Sequence, residues 1–298
     1  MTKLLKQATI FWSCGDDRLR GILGPMALLV SLLAFIANPA YAAGKIPPGP
    51  LICLWEHDAK IDIGPVVQAV GFNTVWTHDP PYHAEKWEDT LMYRHLHTPG
   101  IKYIIAKIDR TIWGWTHEQS LKHAEWVANL SLQHKEIIGL YLNDFYDEIS
   151  DGGRTPAQWA EIIGKARSIN SNLALWVPLY PHSNLDKPYD FDHDAIIFNV
   201  YDVGQIPETE RLLTEAEKRH PGIPIVTGLY VKNDDKPARW LSETEFKQML
   251  RIFVKHINEG KTVGLRIFRA ADLKERPEFM IWAKEALKDL KNQSVAEK

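Results

Sequence analysis

Cysteine is nearly absent: the 298 residues hold two, Cys14 and Cys53. A disulfide framework is thereby excluded, and a domain of this size can bury enough core to fold without one. Charge of one sign is missing as well. Lys and Arg number 35 against 38 Asp and Glu, a net of −3, too mild and too mixed to point to nucleic acid or an anionic membrane as partner. No Gly-x-Gly-x-x-Gly turn follows any apolar run, which argues against a dinucleotide-binding doubly wound sheet. No His-Glu-x-x-His spacing occurs, so that zinc motif is not signalled. There is no internal linker and no low-complexity tract, and no cofactor is expected.

The N-terminus reads as a targeting segment. Lys3, Lys6, Arg18 and Arg20 precede an apolar run from Gly21 to Ala37, and Ala40, Tyr41 and Ala42 form a small-x-small cleavage site. A retained anchor is the competing reading. The run is short for a membrane span and contains Gly21, Gly24 and Pro25, which favours cleavage and export to the periplasm or beyond. Loss of residues 1–42 removes four Lys/Arg and two Asp/Glu, so the balance becomes 31 against 36, a net of −5. No membrane association is expected after cleavage. Cys53 then stands alone, inside an apolar run, as a small buried hydrophobe.

What is present is an eightfold alternation. Short apolar strands begin near Leu51, Asn73, Ile101, Ile137, Leu173, Asp194, Ile223 and Thr262, and segments of helical spacing follow them. After an extended lead-in over 43–50, residues 51–291 are expected to form one α/β domain, a single (β/α)8 TIM barrel, ending in a polar tail over 292–298. Thr155-Pro156 and Ser242-Glu243-Thr244-Glu245 give helix starts, and Gly260 a helix stop. Trp126, Trp159 and Trp282 fall on core-facing helix positions by spacing. In such a barrel the C-terminal strand ends build the active site.

The fourth strand end is the richest in acids: Asn143, Asp144, Asp147 and Glu148 lie within six residues. Crowded carboxylates raise one another's pKa, as a general acid for a glycosidic oxygen requires. Alternatively, Asp147 and Glu148 solvate the loop and cap the next helix. At the sixth strand end, alternation puts Asn199 and Tyr201 on the inner face and Asp202 at the loop start. Here the rival reading is a packing tyrosine with Asp202 as a cap. The first and second strands end in Trp55-Glu56-His57-Asp58 and Trp76-Thr77-His78-Asp79. Lys107 and Asp109 end the third, with Trp113 and Trp115 in its loop. Trp176 and Tyr180 lie at the fifth, Tyr230 at the seventh, and Arg266 with Arg269 at the eighth. Flat indole and phenol faces rimmed by hydrogen-bonding groups suit a sugar ring.

An exported barrel with acids after strand four and Tyr201-Asp202 after strand six resembles a glycoside hydrolase, and among these the family 18 chitinases. Their fourth strand ends in Asp-Gly-x-Asp-x-Asp-x-Glu and their sixth often in Tyr-Asp. Aligned on Gly139, Tyr141, Asn143 and Phe145 occupy that family's acidic positions, so the resemblance leaves Asp144 or Asp147 to stand in for its acid. Retaining barrels with Asn-Glu after strand four and Glu after strand seven are a second likeness. Asn143-Asp144 is a shorter analogue of the pair, whereas strand seven ends in Tyr230-Val231-Lys232. The resemblance implies a carbohydrate substrate, catalysis by Asp144, Asp147 or Glu148 with Asp202 or Glu56 as second carboxylate and Tyr201 assisting, and sugar contacts from Trp55, Trp76, Asp79, Asn143, Trp176, Tyr180, Asn199, Tyr230 and Arg266. Two other functions fit the same residues: a catalytically silent barrel that binds a glycan or protein, and a metal-dependent hydrolase built on His57, His78 and Asp79.

Overall fold

Strands rich in Val, Ile and Leu on one face and in rings on the other need cover on both faces, and closing the sheet supplies it. The computed structural model describes residues 45–78, 86–181, 193–233 and 238–290. The expected targeting segment over 1–42, the polar tail over 292–298 and Asp79 lie outside the described residues. Eight parallel strands close into a barrel in sequential order: β1 (Leu51–Trp55), β2 (Thr74–Thr77), β3 (Tyr103–Ile108), β4 (Ile137–Leu142), β5 (Ala174–Leu179), β6 (Ala195–Val200), β7 (Ile225–Tyr230) and β8 (Gly264–Phe268), with β8 pairing back onto β1. A (β/α)8 barrel is therefore the fold, as expected from the alternation.

The outer face of these strands is aliphatic. Leu54, Val75, Leu140, Leu175, Ile196, Leu229 and Leu265 pack with helix residues such as Val127, Trp159, Ile162, Phe246 and Phe253 in one large core. Helix starts follow the local chemistry. Thr155 and Ser242 cap α-helices Pro156–Ile169 and Glu243–Asn258 through reciprocal capping boxes with Gln158 and Glu245. Gly260, at φ 69°, follows the second of these helices. Trp159 is buried, while Trp126 and Trp282 pack against the core half-buried. Among the described residues no helix is long and apolar enough to cross a membrane.

Inside the barrel a second cluster gathers Leu51, Cys53, Trp55, Trp76, Ile105, Ile138, Tyr141, Trp176 and Ile197. Four large rings need space, and glycine supplies some of it. A Cβ at Gly139 would stand 2.4 Å from the Trp176 indole nitrogen. Ile138 and Tyr141 both belong to this interior although three residues apart, an odd spacing that a regular strand forbids. A register shift between β3 and β4 beside Ile104 and Ile105 absorbs the extra residue. Burial pushes the free Cys53 thiol up to about 12, consistent with an inert packing role.

Candidate active site

Past the end of β4 the chain turns sharply at Asp144, whose backbone is left-handed (φ 46°, ψ 34°), and starts the short helix Phe145–Ser150. Aspartate is among the few non-glycine residues that tolerate this conformation. Its Oδ1 accepts a 2.7 Å hydrogen bond from the Tyr180 hydroxyl at the end of β5. Burial raises the Asp144 pKa above the usual carboxylate value. The Tyr180 hydroxyl opposes that shift, the neighbouring Asp147 reinforces it, and Arg110 and Lys107 oppose it more weakly. The phenols of Tyr141, Tyr180 and Tyr230 surround this carboxyl and are themselves raised, mainly by burial. A carboxyl raised in this way is suited to proton donation to a leaving oxygen.

Beside it stands a tight polar network on β2, β3 and β4. Asp109 Oδ2 lies 2.7 Å from both Lys107 Nζ and His78 Nδ1. Its Oδ1 accepts a 2.9 Å bond from the Asn143 amide. Burial pushes Asp109 up, yet His78 and Lys107 together outweigh it and hold the carboxyl at about 2. Burial also lowers Lys107, whose ammonium sits 4.9 Å from the Trp55 ring centroid. His57 Nδ1 accepts a 3.1 Å bond from the Trp55 indole. Burial, Lys107 and His78 depress His57 to about 4, so it is a neutral ring near pH 7.

The far side of the mouth is aromatic. Tyr201 meets Tyr230 edge-on at 4.9 Å, and Tyr230 meets Phe268 at 4.4 Å. Asn199 and Tyr201 both face inward, and Asn199 Oδ1 accepts a 2.7 Å bond from Arg266 Nη2. Trp113, on the loop after β3, is 53 % exposed.

Several expected site residues are placed elsewhere. Glu56 is buried with Oε1 accepting from the His57 and Asp58 amides, both at 2.8 Å, and Oε2 from the Ala271 amide at 3.1 Å. It ties the β1 loop to the segment after β8, so its carboxylate is spent on backbone donors. Glu148 takes the Thr111 amide at 2.9 Å, the Arg154 amide at 3.2 Å and Arg154 Nη1 at 2.8 Å, all away from solvent. Asp202 is exposed and accepts from the Gly204 amide at 2.8 Å, capping a 3-10 turn. Trp76 and Trp176 lie beneath the mouth, edge-to-face at 5.3 Å and fully buried, because each sits one or more residues below its strand end. They pack the barrel and present no ring to solvent. His57 and His78 are engaged by Trp55 and Asp109, with ring centroids 6.4 Å apart. Among the described residues no group of three metal-ligating side chains forms.

What the structure brings together is Asp144, Asp147, Tyr180, Tyr201, Tyr230, Asn143, Asn199, Trp55 and Arg266. Tyr141, Lys107 and Asp109 join them although strand-end reasoning did not select them for the site. Alternation from Asn143 back to Tyr141, and from Asp109 back to Lys107, was the available signal.

No protein-family model and no curated protein matches the sequence. Solved structures do. The GH113 β-mannanase AaManA from Alicyclobacillus acidocaldarius aligns with a TM-score of 0.55 at 10 % identity, over 83 % of this chain and 99 % of that one. A complex of a GH113 β-1,4-mannanase gives 0.54 at 11 % identity, over 80 % and 99 %. A calcium-binding mutant of Bacteroides uniformis β-glucuronidase 2 gives 0.51 at 13 % identity, over 74 % of this chain and 31 % of that one. The chain thus spans about a third of the glucuronidase's length and nearly all of the mannanases'. These neighbours are glycoside hydrolases, and at such identities they establish the shared barrel.

Proposed function

We propose that this barrel is an exported carbohydrate-active enzyme that cleaves a glycosidic bond, with Asp144 as its proton donor. The observation that carries the reading is Asp144 itself: a carboxyl at the end of β4, in a left-handed turn, raised by burial and by Asp147 and bonded to the Tyr180 hydroxyl. Such an acid protonates the leaving glycosidic oxygen as positive charge develops on the sugar ring. Tyr180 holds its orientation. The exposed Trp113 ring and the Tyr201–Tyr230–Phe268 row offer apolar faces for a sugar. Asp147 or Asp109 serves as the second carboxylate. A functional separation of about 5–5.5 Å between the two would give retention and about 6.5–9.5 Å inversion. The finer family 18 likeness rests on Tyr201, which faces the mouth. Asp202 does not support it, since its carboxylate caps a turn on the exposed side.

A specific observation favours a second reading, a glycan-binding barrel without turnover. Glu56, Glu148 and Asp202, three of the acids available for a second catalytic role, are committed to structural bonds. Reducing-end release from a panel of polysaccharides, wild type against Asp144→Asn, separates the two. The enzyme reading expects turnover that falls at least about a hundredfold in the variant. Glycan binding equal in both proteins, with no turnover from either, would establish the silent barrel instead.

A further inference from the structure

Among the described residues at the mouth, Lys107, Arg110 and Arg269 have carboxylate partners, in Asp109, Asp151 and Asp272. Arg266 differs. It is 1 % exposed and projects into the barrel from β8, and among the described residues no carboxylate pairs with it. Its guanidinium carbon stacks 4.6 Å from the Trp55 ring centroid and 5.2 Å from that of Trp76, and reaches to 5.9 Å from Phe268. Nη2 donates to Asn199 Oδ1 and the guanidinium also hydrogen-bonds the Tyr230 hydroxyl, whereas among the described residues Nε and Nη1 meet no acceptor, and neither does the Asn199 amide nitrogen. Gly228 clears the space for this pair: a Cβ there would stand 2.1 Å from Asn199 Oδ1 and 3.4 Å from Arg266 Nη2.

A guanidinium stays charged at any physiological pH, and a buried charge is costly unless paired and hydrogen-bonded. Ring faces satisfy part of that demand, but a π face accepts nothing from the in-plane N–H groups. Arg266 and Asn199 therefore make a patch with surplus donors and surplus positive charge. It lies one layer beneath the half-exposed ring of Phe268, since Arg266 is in register with Gly228 and Cys53, two residues below the ends of β7 and β1. From these observations we infer that the site selects an anionic sugar, one bearing a carboxylate or sulfate whose oxygens accept from Arg266 and Asn199. The inference rests on the carbohydrate reading above and adds the charge of the substrate to it.

Calorimetric titration of the protein tests it with four probes: oligogalacturonate, its methyl ester, a sulfated galactan fragment and a neutral mannan fragment. The expected result is that oligogalacturonate or the sulfated fragment binds at least tenfold tighter than the ester and the mannan. Carboxylate and sulfate are told apart by which of the two probes gains. In Arg266→Gln that preference should vanish, and in Arg266→Lys it should survive in part. If the Arg266 variants do not fold, the comparison of acid with ester on the unaltered protein decides alone. Equal binding of neutral and anionic probes would overturn this inference and leave the carbohydrate reading standing. Binding of none of the probes would overturn both.

Discussion

The two ends of the barrel treat an aspartate in opposite ways. At the N-terminal end, Asp194 before β6 accepts from Lys45 at 2.8 Å, from Arg167 at 3.2 Å and from the Leu175 amide at 2.9 Å. At the C-terminal end, Asp144 accepts one phenolic hydroxyl and faces the like charge of Asp147. Asp194 is buried and Asp144 half-buried, so exposure alone does not explain the contrast. The number and charge of the donors does. Asp194 is a strut tied to two cations and a backbone amide, while burial and Asp147 raise the Asp144 pKa. The same contrast separates neighbours four residues apart, since Glu148 has Arg154 and two backbone amides where Asp144, among the described residues, accepts the Tyr180 hydroxyl.

The contrast breaks most visibly at Glu148. Replacing Glu148 by Gln leaves the Arg154 guanidinium buried without its counter-charge, which should destabilise the fold by about 3–5 kcal/mol. Denaturant unfolding reads this directly. A loss below about 1 kcal/mol would place Glu148 outside the structural set. Asp194→Asn is the parallel change at the other end. Its partner Arg167 keeps some contact with water, so a smaller loss of about 1–3 kcal/mol is expected.

Acidification sharpens the comparison more gently. His57, His95 and His220 have pKa values lowered from 6.5 to about 4, about 3 and about 4, each chiefly by burial. The unfolded chain then binds more protons than the native one between pH 6.5 and about 4, so stability falls as pH drops through that window. A Tm series over this range should decline, and His95→Gln should flatten it. Asp109, held at about 2, adds its own loss only between about pH 4 and 2.

The eightfold pattern was readable because the outer strand faces are apolar in every repeat and turn residues separate them. The expected strand starts at Leu51 and Ile137 match β1 and β4, and the others fall within two residues. Inward-facing Asn199 and Tyr201 followed from period two alone. Which acids are free did not follow. Glu56 meets the Ala271 amide across 215 positions of sequence, and Asp144 meets Tyr180 across 36. Carboxylates at strand ends look alike in one dimension, and their fates are fixed by donors that arrive from other strands. The rings of Trp76 and Trp176 were similarly ambiguous. One or two positions of depth along a strand decide whether an indole meets a sugar or the core.

The most direct test of the central claim is the carboxyl titration of Asp144, followed by carbon NMR with Asp144→Asn as the assignment control. The expected midpoint lies above the ordinary 3.8, moving down in Asp147→Asn as the like charge is removed and up in Tyr180→Phe as the donor is lost. A midpoint at or below 3.8 that ignores both substitutions would contradict this, and Asp144 would then be another structural strut like Asp194.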